Sequence, residues 1–143
     1  MKLDWAILAN SAEVRDNMAY VLGGGIDTVN SFELPAPLNA TLLLRILLHR
    51  TEVERPHNVE VRALDNDGNE IAPRLHLTFT PPPIAPDTPI GWDIPVMFPI
   101  VIQRLPLKDA SRYSLEILID DTHFKSLNLK VNLLEPPPAI PLA

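Results

Sequence analysis

Polar and apolar positions alternate with period two over several stretches of the chain, the spacing at which side chains fall on opposite faces of a strand. Between Asn58 and Leu64, Asn58, Glu60 and Arg62 interleave with Val59, Val61 and Ala63. One wet face and one core face follow. The turn-forming run Asp65-Asn66-Asp67-Gly68-Asn69 then predicts a hairpin whose second strand runs from Glu70 to Thr80. A last hairpin is predicted from Tyr113–Ile119 and Phe124–Asn132 around Asp120-Asp121-Thr122-His123. The stretch from Ala40 to His49 is apolar on both faces, which suits a central or tightly covered strand, with a buried helix as the alternative. Near the start, Leu3–Ala9 and Met18–Asn30 read as an opening hairpin turning at Asp16-Asn17. Gly23-Gly24-Gly25 interrupts the second of these runs, a bulge or bend that would let one long strand cross between sheets.

Proline sharpens this picture. The chain has 16 prolines, and each interior proline removes a helical hydrogen bond and clashes with the preceding turn. Long helices are excluded. Five of the nine residues from Pro81 to Pro89 are proline, which favours an extended loop, and Pro95 and Pro99 confine the run Trp92–Gln103 to a sheet edge or a bulge. The expected fold is all-β: an antiparallel two-sheet sandwich of seven to eight strands, immunoglobulin-like or C2-like. A single sandwich domain over residues 1–134 is expected, followed by a proline-rich tail over 135–143. No fixed internal period is present.

Composition adds limits. A chain of 143 residues with 46% hydrophobic and 21% charged positions suits one folded core. The net charge of -6 and the pI of about 5.1 disfavour a nucleic-acid partner, which requires clustered Lys and Arg. The absence of cysteine excludes disulfides, thiolate nucleophiles and cysteine-ligated metals, and fits a reducing, cytoplasmic setting. The apolar run Trp5–Ala9 is too short for a signal-peptide core, and the stretches 40–48 and 94–102 fall well short of the ~20 residues of a membrane span.

Four segments carry a resemblance. They are Ala6-Ile-Leu-Ala9, Tyr20-Val-Leu-Gly-Gly-Gly-Ile-Asp-Thr-Val29, the stretch from His49 through Val53 to Arg55-Pro-His57, and Ile117-Leu-Ile-Asp-Asp-Thr-His-Phe-Lys-Ser-Leu127. Together they resemble a family of small bacterial proteins known only as a domain of unknown function. The resemblance implies a bacterial source and a β-rich domain, and it transfers no site.

Candidate chemistry is sparse. Asp65, Asp67 and Glu70 offer carboxylates for calcium, joined by Asp120 and Asp121 if both turns meet at one end of the sandwich. The same residues also make good turns unaided. His49, His57, His76 and His123 are scattered along the chain rather than spaced as a ligand motif. Ser111, Ser114 and Ser126 sit in no nucleophile elbow, and the triple glycine lacks the Lys-Ser/Thr of a phosphate loop. No enzyme, cofactor or metal assignment follows.

Contact features remain. The segment Pro136-Pro137-Pro138-Ala-Ile-Pro141 is a polyproline II candidate, pre-ordered for docking in an apolar groove. Trp92 and Ile94 lie near prolines on the expected edge strand, where apolar surface marks an interface and ordinary core packing is an equal explanation. The expectation is a non-catalytic structural module that assembles with itself, or with another cytoplasmic protein, through that edge and tail. A calcium-binding sandwich is the alternative.

Overall fold

A computed structural model describes residues 1–142; Ala143, the last residue of the expected tail, lies outside them. Nine strands form: β1 (Lys2–Arg15), β2 (Met18–Gly24), β3 (Thr28–Ser31), β4 (Ala36–Leu48), β5 (His57–Leu64), β6 (Leu75–Phe79), β7 (Ile94–Leu107), β8 (Arg112–Ile119) and β9 (Thr122–Leu133). The only helical piece among the described residues is one 3-10 turn, Arg50–Glu52. The strands make two sheets, ordered β2-β1-β4-β7 and β3-β9-β8-β5-β6, the second of which is curled. All pairings are antiparallel except β3 with β9.

The core follows the alternation. Leu38, Leu42, Leu44, Ile46 and Leu48 of β4 face Val59 and Val61 of β5, Leu115, Ile117 and Ile119 of β8, and Leu129 and Val131 of β9. Each fully buried side chain of this size contributes roughly 1.5–3 kcal/mol. The buried-helix alternative for 40–49 fails because β4 lies between β1 and β7, where its backbone bonds are met by neighbours on both sides.

The triple glycine does what the pattern suggests: β2 belongs to the first sheet, β3 to the second, and Gly23 and Gly25 adopt φ of +66° and +85° between them. Asp16 and Asn17 form the predicted turn, with φ of 52° and 60°. The strand before them is longer than expected. Past Ala9, β1 pairs only with β2, so residues 10–24 stand off the sheet as a hairpin arm.

This arm folds back. Were β1 straight, Val14 would lie about 30 Å from Arg45, which sits opposite Trp5, at ~3.3 Å per residue. Instead Val14 and Asn17 share the wall of one cavity with Arg45 and Met97. The arm therefore covers the outer face of the four-stranded sheet, where Ala9, Thr41 and Leu43 are buried away from the inter-sheet core. Close approach explains Gly24, where a Cβ would stand 2.9 Å from Val21 Cγ1 and 3.2 Å from Ile7 Cγ2.

Two expectations shift. The partner of β5 is only Leu75–Phe79, because Pro73 breaks the ladder and Ile71 and Ala72 turn inward against the core, leaving one isolated bridge, Leu64 to Glu70. The strand expected over 92–103 runs Ile94–Leu107, at an edge as its prolines require, and carries a bulge in which Gln103 and Arg104 oppose Asn39.

At the entry to β8, Tyr113 reaches back over the corner. Its hydroxyl donates to Asp109 O at 3.0 Å and accepts from Asp109 N at 2.9 Å. Tyr113→Phe removes both bonds while keeping the ring, and should cost about 1–3 kcal/mol in urea unfolding with an unchanged m-value.

Candidate functional site

Polar side chains gather in two places. The first is the end of the sandwich where the connection after β4 meets the turn between β8 and β9. His57 is fully buried, its Nδ1 2.6 Å from Asp120 Oδ2 and its Nε2 2.6 Å from Glu52 O. Burial raises the Asp120 pKa, but the hydrogen bonds from His57 and from the Asn58 amide outweigh it, and the carboxyl is held below its ordinary 3.8. An ionised carboxylate and a carbonyl oxygen both only accept, so the ring of His57 is bracketed by acceptors on its two nitrogens. Alongside it, Glu52 Oε1 accepts from His49 N and meets the Met1 amine at 2.9 Å. His57 also packs against Phe79, and Phe79 against Phe98. This cluster ties loops to the core and leaves no proton-accepting atom free on the ring.

The second lies on the outer face of the curled sheet. The register sets Arg62 opposite Glu116 and Glu116 opposite Ser126. Glu60, although on the solvent side, is buried, with Arg62 and Arg74 each 3.2 Å from one of its oxygens. Hydrogen bonding from Arg62, assisted by the charge of Arg74, lowers its pKa despite burial. Glu116 accepts from His123 Nε2 at 2.7 Å, from Ser114 at 3.0 Å and from Ser126; burial opposes ionisation, and these bonds reverse it. Sequence reasoning singled out His123 and Ser126 but missed Glu116, whose place opposite Ser126 depends on strand register.

A serine, a histidine and a glutamate in mutual contact invite comparison with a catalytic triad. The connectivity differs. Ser126 and Glu116 both engage Nε2 of His123, so the carboxylate occupies the very nitrogen that would have to accept the serine proton. What results is a charge-satisfied polar surface.

The acidic turns do not meet. Asp65 follows β5 and Asp120 bonds to Asn58 at its start, so about 20 Å of strand separates them. Asp65 Oδ1 accepts from Asp67 N and Asn69 N, both at 2.9 Å, and Glu70 is held by Arg74. No group of three His, Asp or Glu side chains suited to a metal occurs among the described residues. Of the four histidines, His76 touches Glu60 and His123 touches Glu116, while His49 caps the 3-10 turn through Thr51.

The predicted contact residues separate. Trp92 is 67% exposed, close in sequence to the still barer Ile90, in the proline loop that Arg50 anchors through Thr88 O and Pro89 O. Ile94 is 7% exposed and packs in the core, which removes it from any contact surface. Pro136, Pro137, Pro138 and Pro141 are exposed, in an extended segment that leaves β9 where Leu134 N donates to Ser31 O. Trp92 and the tail leave from opposite edges, since β7 flanks β5 and β6 whereas β9 flanks β1.

The profile of DUF6941, described as a family of unknown function, matches residues 4–132. The chain belongs to DUF6941. No curated protein and no solved structure matches it. The DUF6941 match takes in His57, Asp120, Glu60, Glu116 and the hairpin arm, and ends before the proline tail.

The first cluster carries a testable consequence. Asp120→Asn weakens the hydrogen bond that the buried His57 ring makes at Nδ1 and should cost about 1–3 kcal/mol in urea unfolding at pH 7. Glu52, Glu60, Glu116 and Asp120 all have folded pKa values below their ordinary 4.5 or 3.8. Their stabilisation is complete above those ordinary values and lost as pH falls through the lower folded ones. The urea midpoint should therefore drop steeply below about pH 4.5. Glu116→Gln should make that drop shallower.

Proposed function

We propose that this DUF6941 chain is a non-catalytic assembly module whose sandwich pairs with a second copy through the open edge of β2. The supporting observation is the contrast among the four sheet edges. β7 carries Pro95, Pro99 and Pro106, which withdraw donors from its ladder; β6 has five residues and β3 four. β2 has no such protection: Met18–Gly24 contains neither charge nor proline. Its outward side chains are Met18 at 54%, Tyr20 at 48% and Leu22 at 71% exposure, an apolar stripe beside free backbone groups. That stripe is self-complementary, because antiparallel pairing about Tyr20 sets Met18 of one copy beside Leu22 of the other.

Two finer readings accompany this one. An immunoglobulin-like topology is supported by the Tyr113 corner, with the buried Leu115 standing two residues on, where such domains carry a cysteine. A reducing, cytoplasmic setting is supported by the cysteine-free composition. The exposed proline tail then serves as a secondary contact laid across the neighbouring copy.

Light scattering after gel filtration tests the proposal. The full chain should elute as a dimer, Leu22→Lys should be monomeric with unchanged circular dichroism, and removal of 135–143 should weaken the dimer without abolishing it. A full-length monomer, or a dimer indifferent to Leu22→Lys, overturns the edge.

A further inference from the structure

A cleft of about 350 Å³ opens between the two sheets on the side where β6 and β7 form the edges. Its floor is core: Val61, Ile102, Leu105 and Leu115 line it and are buried. Ile71 and Ala72, from the segment that failed to continue the β5 hairpin, form the outer wall. Two arginines, Arg74 and Arg104, also line it. Arg74 is already held by Glu70 and Glu60. Arg104 has no side-chain hydrogen bond or ion pair among the described residues and is exposed.

The conformation of Arg104 is the second observation. It occupies the β7 bulge with φ of +52°, a left-handed position that glycine fills without strain, and Asn39 Oδ1 fixes it by accepting from its N–H at 2.9 Å. Bulges re-aim side chains, and a strained non-glycine residue among those lining a cavity points to a role for its side chain. Apolar walls with one uncompensated cation among the lining residues define the complementary ligand: an apolar body ending in a single negative charge. At about 30 Å³ per non-hydrogen atom, the cleft holds roughly a dozen such atoms.

We propose that this cleft binds a free medium-chain carboxylate of about ten carbons, its chain between the sheets and its carboxylate on Arg104. This site is independent of the β2 edge.

Calorimetric titration of the full chain with decanoate, below its micelle-forming concentration, should give one site per chain and a raised melting temperature. Decanol, equal in length but uncharged, should bind at least roughly tenfold more weakly, because it lacks the charge-assisted bond. Arg104→Gly should melt no lower than the parent without ligand, since glycine relieves the bulge, yet lose the preference for decanoate over decanol. Arg104→Gln, which keeps the side-chain bulk, should lose it as well. No decanoate binding, equal binding of decanol, or an undiminished preference in both variants would each overturn the proposal.

Discussion

Leu43 sits on the side of β4 that turns away from the inter-sheet core, yet it is fully buried, so the second sheet is not what excludes water from it. A central strand apolar on both faces requires two covers, and this molecule supplies the second from its own chain by folding the β1–β2 arm over the outer face. The remaining oddities of the N-terminal third follow from that demand. Ala9 is small where the arm departs, and Gly24 is bare where the arm presses on Ile7. Having covered the sheet, the arm turns its other face outward, and the Met18, Tyr20 and Leu22 stripe is the residue of apolar surface left over.

Buried charge has a different place in the design. His57 and Asp120 join the loop after β4 to the turn between β8 and β9, so one hydrogen-bonded pair sets the positions of two connections distant in sequence. Glu60 and Glu116 similarly stitch β5, β6, β8 and β9 on the solvent side of the curled sheet. Each of these carboxylates has its lone pairs met by donors, which explains their lowered pKa values and why the polar residues that looked chemically promising are spoken for.

Much of this was legible in the sequence because period-two alternation records which face of a strand is wet. Strands β5, β8 and β9, the Asp16-Asn17 turn and the glycine crossover all sat where the residues placed them. The back-folded arm was not legible, because residues 10–15 mix polar and small side chains and their cover is a matter of tertiary approach. Ile94 misled for a related reason: its proline neighbours mark an edge, but an edge strand still has an inward face. The clusters around Glu60 and Glu116 join residues 10 to 14 positions apart, or on separate strands, so only the register reveals them.

The lone parallel pairing has a consequence for synthesis. Thr28–Ser31 aligns with Lys130–Leu133, about a hundred residues later, so the second sheet cannot acquire its outermost strand until those later residues have left the ribosome. Loop closure over that span is slow compared with forming the arm's local hairpin. The nascent chain therefore carries the exposed apolar stripe of β2 well before it can complete the barrier of its own core. A cell making this protein at high density has reason to keep neighbouring copies apart until the final strand arrives.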